Sequence, residues 1–400
     1  MNKQLLSNYK SYYFRKLAQS CFRILGAFIP VRKNRILISS FGGKQYTCNP
    51  KYIAEYLHQI DKERFDIIVS IVNPNIKEFI PLWMKATKQY SLLFCYYHMS
   101  AKVIIANDSP SLIIPKKGNQ LFINTWHGGG AYKRVGKTKD NDYTKSFSHR
   151  NRLYCNKNTS AYISSSKLFT KYHIIDSYEY DGYILKTGMP RNDVFFYSSD
   201  KQQEIKNKVY QYLKIDKTKR IILYAPTIHD NSFTNKLSHN YRVDVYENYW
   251  LDAQKLEEAT HERFGGDWVV VLRAHIGLKS FVAHTVDASD YPDMQELLLA
   301  SDILISDYSS SIWDFSYTFK PCFLYCYDLE KYDEDRGFYI PIHEWGFPVC
   351  ETFTALLEAI RNFDEKDFRA KMEHHHERLG GYEDGHARER VTNFILERIR

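Results

Sequence analysis

The strongest constraint on the fold of this chain is a repeated alternation of short apolar runs and helical stretches. The first half contains six strand-like runs, at 35–41, 66–72, 102–107, 120–125, 161–165 and 183–187. The same pattern returns at 220–225, 268–273, 302–306 and 321–327. Helical stretches lie between these runs, for example at 49–60, 251–264, 292–300 and 309–319. Short apolar strands separated by helices are typical of a mostly parallel sheet covered on both faces, so the sequence predicts an α/β fold.

A polar, lysine-rich stretch separates the two repeats. Residues 198–218 contain no strand-like run, and a chain of 400 residues is too long for one ordinary core. We therefore expect two Rossmann-like, doubly wound domains at 34–200 and 201–400, the second with a closing helix. Two such units in tandem resemble the glycosyltransferase-B architecture, in which two domains face a cleft. Ligands of open α/β sheets bind outside the carboxyl ends of the strands, so the strand-end loops of both domains are the candidate site.

Residues 1–33 form a basic amphipathic segment ahead of the first strand. Apolar residues alternate irregularly with Lys3, Lys10, Arg15, Lys16, Arg23, Arg32 and Lys33. A helix of this composition favours the headgroup layer of an anionic membrane. The alternative is a helix that caps the first domain, and the sequence leaves both interpretations open. No run of about 18 apolar residues occurs, and charges interrupt the N-terminal apolar residues, so we expect neither a membrane span nor a secretory signal.

Net charge indicates which partners are expected, and cysteine usage indicates the redox environment. The formal charge of +8 is modest and diffuse, which disfavours nucleic acid and suits an anionic substrate or membrane surface. The 7 cysteines form no CxxC pair, so we expect neither a disulfide framework nor a zinc site, as in a reducing cytoplasm. The sequence does not determine the oligomeric state.

The loop after 120–125 is the first candidate for chemistry. It contains Trp126, His127 and three successive glycines, Gly128, Gly129 and Gly130. Glycines let a backbone approach phosphate oxygens closely, and a histidine at a strand end serves as a general base or a phosphate partner. The alternative is a glycine-rich turn with a packing histidine.

Two further loops carry polar or rigid groups at strand ends. Arg191 follows Pro190 and is a candidate for bidentate pairing with a phosphate. The alternative is a structural role, in which Arg191 forms polar contacts at the hinge between the domains. Pro226 and Thr227 follow the first strand of the second half, where a turn offers N–H groups and a hydroxyl to a base or ribose. A plain turn is the alternative for the second loop.

The last two candidate loops favour a diphosphate. Arg273 and His275 are two residues apart, with Ala274 between them, so both share one face of an extended segment and suit charge that develops on a leaving group. Ser309 and Ser310 begin a helix, where free N–H groups attract anions. Asp314 lies on the first turns of that helix, within reach of a ribose or polyol hydroxyl. The alternatives are a structural ion pair and plain N-capping.

We predict no metal site. The run 374–376 is three histidines, but consecutive residues of a helix point to different faces. Asp333 and Asp335 have the spacing of a metal-binding pair, yet they lie in a charged loop after the last strand.

Taken together, these loops resemble the CDP-glycerol glycerophosphotransferase family of teichoic-acid primases and polymerases. The matching segments occur in the family's order at 41–44 with 49–52, 125–128, 190–193, 223–227, 273–275, 306–310, 327–329 and 336–339. Residues 384–390 resemble the family's closing helix.

The resemblance implies a metal-independent and cofactor-free transfer of polyol phosphate, most simply glycerol phosphate, at the inner face of a membrane. The partners it implies are a CDP-polyol donor and a lipid-linked or polymeric acceptor. It assigns His127 as the base, and His275 with Arg273 as the groups that stabilise the departing CMP. The other donor-site residues it implies are Trp126, Gly128, Gly129, Gly130, Arg191, Pro226, Thr227, Ala274, Ser309, Ser310 and Asp314.

This chain departs from the family pattern at two places. The family usually has Thr-Pro where Gly129 and Gly130 stand, and Pro where Ala274 stands. Both departures lie in the implied site, so the identity of the polyol or of the acceptor can differ from that of the commonest family members. A CDP-ribitol transferase has nearly the same motifs. A nucleotide-sugar glycosyltransferase of the same fold and a non-catalytic assembly subunit are alternatives of other classes, and His127, Arg273 and His275 together argue against the second.

Overall fold

The computed structural model of the protein describes residues 3–130, 132–139, 146–227, 251–273 and 283–399, with side chains from residue 11 onward. The chain divides into two compact units. The first unit is Met1–Gly128, Val135–Asp193 and Gly381–Arg400. The second unit is Gly129–Arg134 and Val194–Gly380.

The first unit is built on a parallel sheet. Its described strands are β1 (Arg32–Ser39), β2 (Asp66–Ile71), β3 (Lys85–Lys88), β4 (Ala101–Ala106), β5 (Leu121–Asn124), β6 (Ala161–Ser164) and β7 (Tyr183–Lys186). They lie in the order β3-β2-β1-β4-β5-β6-β7, and every pairing is parallel. Ile36, Leu37 and Ile38 of β1 are no more than 2% exposed. Because neighbouring strand residues point to opposite faces, both faces of this sheet are covered.

Helices connect these strands. The first part of the unit contains α1 (Lys3–Ala27), α2 (Cys48–Ile60), α3 (Leu92–Ser100) and α4 (Phe147–Asn158). A π-helix, Phe169–Ser177, joins β6 to β7. The N-cap of α3 is Ser91 and that of α4 is Ser146, and each hydroxyl accepts a hydrogen bond from a backbone N–H of the first turn.

The second unit repeats the architecture. Its described strands are β8 (Arg220–Tyr224), β9 (Trp268–Leu272), β10 (Val286–Asp287), β11 (Ile303–Ser306), β12 (Cys322–Tyr325) and β13 (Val349–Cys350), in the order β10-β9-β8-β11-β12-β13. The pairings are again parallel. The helices are α5 (Ser199–Leu213), α6 (Ala253–Phe264), α7 (Met294–Ala300), α8 (Ser311–Ser316), α9 (Leu329–Asp335), α10 (Phe353–Arg361) and α11 (Glu365–Leu379).

The last twenty residues belong to the first unit, although the sequence placed 201–400 in the second domain. The Tyr382 N–H donates to the Ser165 carbonyl at 2.8 Å. The final helix, α12 (Ala387–Arg398), begins at the carboxylate of Asp193, which accepts hydrogen bonds from the Ala387 and Arg388 N–H groups at 3.0 and 2.9 Å. A capping carboxylate nearly 200 residues upstream fixes this helix, and no local sequence signal reports such a contact.

The structure confirms an α/β fold with parallel-sheet domains, and three strands are additions to the prediction. These strands, β3, β10 and β13, are the outermost in their sheets. They are two to four residues long, and β3 carries lysine at both ends. An edge strand pairs on one side only and tolerates polar residues, so it leaves no apolar run in the sequence. Across the described residues, no helix has the length and apolar character needed to cross a membrane.

Candidate active site

Each sheet has one point where the strand order reverses. The candidate loops of the second unit at 225–227 and 307–310 lie there, whereas those of the first unit at 126–130 and 190–193 follow β5 and β7. In the first unit β1 is flanked by β2 on one side and β4 on the other, so the loops after β1 and β4 border the reversal. In the second unit β8 lies between β9 and β11, so the loops at 225–227 and 307–310 border it. Loops on either side of such a point run in opposite directions, which opens a crevice for a ligand.

The imidazole of His127 is oriented by the backbone of a neighbouring strand end. Its Nδ1 lies 2.9 Å from the carbonyl oxygen of Asn107, the residue after β4. A carbonyl only accepts hydrogen bonds, so Nδ1 carries the proton in the neutral ring and the lone pair lies on Nε2. The geometry therefore gives His127 the tautomer that a base acting through Nε2 requires.

Aromatic rings hold this histidine in one place. The Trp126 and His127 rings are stacked at 4.4 Å between centroids, and the Phe41 ring lies 5.4 Å away. Trp126 has a positive φ of 51°, which a non-glycine residue adopts at a cost, and its N–H donates to the Asn124 side chain at 2.9 Å. The turn is thus strained locally and held by its surroundings.

Arg191 and Asn49 brace the same turn from inside the first unit. Arg191 is 5% exposed, and its Nη1 donates to the His127 carbonyl at 2.7 Å. Asn49, fully buried, donates from Nδ2 to the Trp126 carbonyl at 3.1 Å and accepts at Oδ1 from the Arg191 N–H at 3.1 Å. These contacts position the His127 turn. Pairing of Arg191 with a substrate phosphate stays a prediction.

In the second unit a buried carboxylate joins the two loops at the reversal. Asp307 is 2% exposed and accepts from the Thr227 N–H at 2.7 Å and from the Thr227 hydroxyl at 2.9 Å. Ser309 and Ser310 follow it at the start of α8 and are half-buried. The loops that carry Thr227, Ser309 and Ser310 therefore lie together at one edge of the sheet, and their contact with a donor stays a prediction.

Asp314 and Arg273 both bond to neighbouring segments of the second unit. Asp314 is 1% exposed and accepts from Gln295 Nε2 at 3.0 Å. Arg273 Nη1 donates to the Ala288 carbonyl at 2.7 Å. Burial lowers the pKa of the Arg273 guanidinium, and nearby aspartates oppose that shift. Both side chains hold neighbouring segments, and their predicted contacts with the polyol and the diphosphate stay predictions.

The Gly129–Gly130 departure from the family pattern has a packing cause. A Cβ on Gly129 would lie 2.2 Å from Trp313 Cδ1, and a Cβ on Gly130 would lie 2.2 Å from the Tyr132 ring. Trp313 is fully buried, so its indole has no room to retreat. Within the second unit, aromatic side chains occupy the volume that a threonine and a proline would need.

His275 and Ala274 lie outside the described residues. Two residues that matter to the site were not predicted as such. Asn107 orients His127, and Asn49 lies buried inside α2 and supports the His127 turn. The signal for Asn107 was an amide at the end of the strand-like run 102–107. Among the described residues, no group of three histidine, cysteine, aspartate or glutamate side chains converges on a possible metal site.

Parallel sheets that reverse beside glycine-rich and serine-rich loops define the class of nucleotide-binding α/β folds. The chain belongs to the CDP-glycerol:poly(glycerophosphate) glycerophosphotransferase family, whose model matches residues 22–397. It is therefore an enzyme of the CDP-glycerol glycerophosphotransferase type, a polyol-phosphate transferase of teichoic acid biosynthesis.

Individual relatives support this placement. The chain is 31% identical over 372 residues to a teichoic acid poly(glycerol phosphate) polymerase of Bacillus spizizenii, covering 90% of this chain and 91% of that protein. It is 27% identical to a teichoic acid ribitol-phosphate primase of the same organism, covering 94% of each. Among solved structures it resembles the wall teichoic acid polymerase TagF with a TM-score of 0.76 and 26% identity, covering 99% of this chain and 97% of that one.

We predict that Gly129→Ala destabilises the second unit by about 1–3 kcal/mol, because the added methyl group overpacks against the buried indole of Trp313. Thermal unfolding of the purified variant measures the change. Gly118→Ala is the matched control, since no atom lies within 4 Å of a Cβ built there.

The double variant Gly129→Ala with Trp313→Leu should lose less stability than the sum of the two single variants, since the smaller side chain frees volume for the methyl group. Strict additivity of the two losses would contradict the packing explanation.

Proposed function

We propose that the chain transfers glycerol phosphate from CDP-glycerol to a hydroxyl of a lipid-linked acceptor or a growing teichoic-acid chain, with release of CMP. The observation that carries the proposal is the Nδ1 contact of His127 with the Asn107 carbonyl, because it presents Nε2 as the basic atom. The 31% identity to a poly(glycerol phosphate) polymerase favours glycerol as the polyol.

In the proposed step, the acceptor hydroxyl attacks the β-phosphorus of CDP-glycerol. Its proton passes to His127 Nε2 as the new P–O bond forms. The bond from that phosphorus to the bridging oxygen breaks, and the electron pair leaves with CMP. General-base help of this kind contributes about 10²–10⁴-fold. Alignment of the nucleophile and stabilisation of the phosphates supply the rest of the rate.

The donor-binding role falls to the predicted strand-end loops. Ser309 and Ser310, with the N–H groups at the start of α8, are proposed to bind phosphate oxygens, because such groups attract anions. The buried link between Asp307 and Thr227 fixes the loop beside them. Arg273 and His275 are proposed to stabilise the leaving CMP. The transfer is proposed to need no metal ion and no cofactor.

A CDP-ribitol donor is the second candidate. One observation favours it: the chain is 27% identical to a ribitol-phosphate primase over 94% of both chains. The two polyols differ in length but present the same terminal hydroxyl and the same diphosphate. The loops described above therefore suit either donor.

A donor comparison tests the proposal. Purified protein is incubated with a lipid-linked acceptor and with CDP-glycerol, CDP-ribitol or a UDP-hexose in separate reactions, and nucleotide release is measured. We expect CMP from CDP-glycerol at a rate at least about tenfold above the other donors. Faster release from CDP-ribitol would assign the ribitol alternative, and hexose transfer from the UDP donor would overturn the phosphotransferase proposal.

We expect His127→Ala to lower kcat by about 10²–10⁴-fold and the melting temperature by only a few degrees, because the variant loses the base and one packed ring but keeps the fold. His261→Ala is a matched control, since His261 also places Nδ1 against a backbone carbonyl, that of Gly266 at 2.8 Å, on an exposed surface. A His127→Ala enzyme with near-normal turnover would remove the assigned role.

We also propose that α1 associates with the inner face of the membrane. One side of α1 docks on the first unit: Gln19 is 4% exposed and donates to the Leu112 carbonyl at 2.8 Å, and Phe22 packs against the hydrophobic core. Another side presents exposed apolar residues, namely Tyr13, Phe14, Leu17, Ile24 and Leu25. At about 100° per residue these five fall within an arc of about 120°. Docking on the domain and membrane contact are therefore compatible.

Replacing Leu17 and Ile24 together by serine should weaken binding to vesicles of anionic phospholipid by about tenfold or more, since two apolar side chains lose their burial in the headgroup layer. Co-sedimentation measures the bound fraction. Ile175→Ser, at a residue that is 46% exposed elsewhere in the first unit, is the control. Equal binding of all three proteins would argue that α1 only caps the domain.

A further inference from the structure

The reversal point of the first sheet carries a carboxylate that the reaction as described leaves without a role. Asp108 follows Asn107 in the turn after β4, so it lies at the border between the β1 and β4 ends. Across this border sits the turn after β1, where Gly42 has a φ of +63°. The Asp108 carboxylate accepts a hydrogen bond from the Gly42 N–H, and a Cβ built on Gly42 would lie 3.6 Å from Asp108 Oδ2, so the carboxylate packs against the turn after β1.

Asp108 shares a rigid turn with the group that orients His127. The preceding residue, Asn107, is fully buried. Its carbonyl faces His127 Nδ1 at 2.9 Å, and its side-chain Oδ1 accepts from the Phe41 N–H at 2.7 Å. Adjacent Cα atoms are about 3.8 Å apart, so the Asp108 backbone is held by the same bonds that set the imidazole. A ligand on Asp108 is thereby positioned relative to His127.

The Asp108 carboxylate is held by backbone N–H groups and not by a basic side chain among the residues that the structure describes. Within the described part of the chain, no lysine or arginine forms an ion pair with this carboxylate, and the groups that oppose its burial are backbone N–H groups, first that of Gly42. Burial raises the pKa of Asp108 to about 6. It is therefore mostly ionised at neutral pH and accepts hydrogen bonds strongly.

A half-buried carboxylate selects among the chemical groups of the two substrates. It repels the diphosphate of the donor and the phosphates along a polymer. It attracts a hydroxyl, which donates a hydrogen bond to it. Two groups of hydroxyls come close to His127 in the reaction, those at the end of the acceptor and those of the donor polyol. The donor polyol is attached directly to the anionic diphosphate, which a carboxylate repels, so the acceptor end suits the carboxylate better.

We propose that Asp108 is an acceptor-binding residue, whose carboxylate accepts a hydrogen bond from a hydroxyl at the terminal polyol of the acceptor and so positions the attacking hydroxyl beside His127. This inference rests on the proposed function. It assigns Asp108 no proton transfer, which distinguishes its role from that of His127.

The test separates acceptor binding from turnover. The probe is a synthetic glycerol phosphate trimer with a free terminal glycerol, and its affinity for the full-length protein is measured by calorimetry without any donor. Asp108→Asn should weaken binding about tenfold, since a hydrogen bond to a charged group is replaced by one to a neutral amide. Methylating the terminal hydroxyls of the trimer should also lower its affinity for the wild type about tenfold. The same methylation should leave its affinity for the Asp108→Asn variant nearly unchanged.

Steady-state kinetics with the best donor give the second measurement. The Asp108→Asn variant should show a KM for the acceptor about tenfold higher, a kcat within about threefold of the wild type and an unchanged KM for the donor. Asp108→Glu, which keeps the charge but moves it by about one methylene, should be intermediate. Asp181→Asn, at an exposed position of the first unit, is the control.

Each contrary outcome has a distinct meaning. An unchanged affinity for the trimer in Asp108→Asn, or a wild type that does not bind the trimer, overturns the inference. A collapse of kcat with an unchanged acceptor KM would make Asp108 a proton-transfer group, and a raised donor KM would make it a donor ligand, and either result rejects acceptor binding. Failure of every CDP-polyol to react, with trimer binding still dependent on Asp108, would reject the proposed function and not the acceptor site.

Discussion

The contact between the His127 imidazole and the Asn107 carbonyl organises the first unit's part of the site. It joins the end of β5 to the end of β4 and fixes which ring nitrogen carries the proton. That contact needs a turn with a left-handed residue, Trp126, and such a turn persists only when its surroundings hold it. The buried polar groups of Asn49 and Arg191 supply that support by occupying the carbonyls of the turn.

In the second unit a charged group holds the strand-end loops. The Asp307 carboxylate binds both the N–H and the hydroxyl of Thr227, so the loops after β8 and β11 are tied across the reversal point of the sheet. Different groups hold the two turns. The amides of Asn49 and Asn107 and the Arg191 guanidinium hold the His127 turn, and the Asp307 carboxylate holds Thr227. Asn107 and Asp307 each lie directly after a strand, where parallel geometry brings neighbouring loops together.

Much of the fold followed from pattern. The central strands are apolar runs because both of their faces are buried, and their positions agree with the prediction. The outer strands β3, β10 and β13 gave no such signal because an edge needs no continuous apolar run. The candidate loops were found as sequence motifs. These motifs did not show which side chains support a loop and which contact a ligand. Arg191 illustrates this, since its guanidinium bonds to the His127 carbonyl in the described structure.

The sequence by itself determined the α/β class, the two parallel sheets and the loops at their carboxyl ends, because periodicity and turn residues are local properties of the chain. Tertiary structure alone decided that Asn107 orients His127, that Asp108 borders the same crevice and that the last helix belongs to the first unit, capped by Asp193. Each of these depends on two segments about 20 to 200 residues apart. A local pattern carries no record of such a pairing, because its geometry is set by the order of strands in the sheet and by the polar groups that must be satisfied where the strands end.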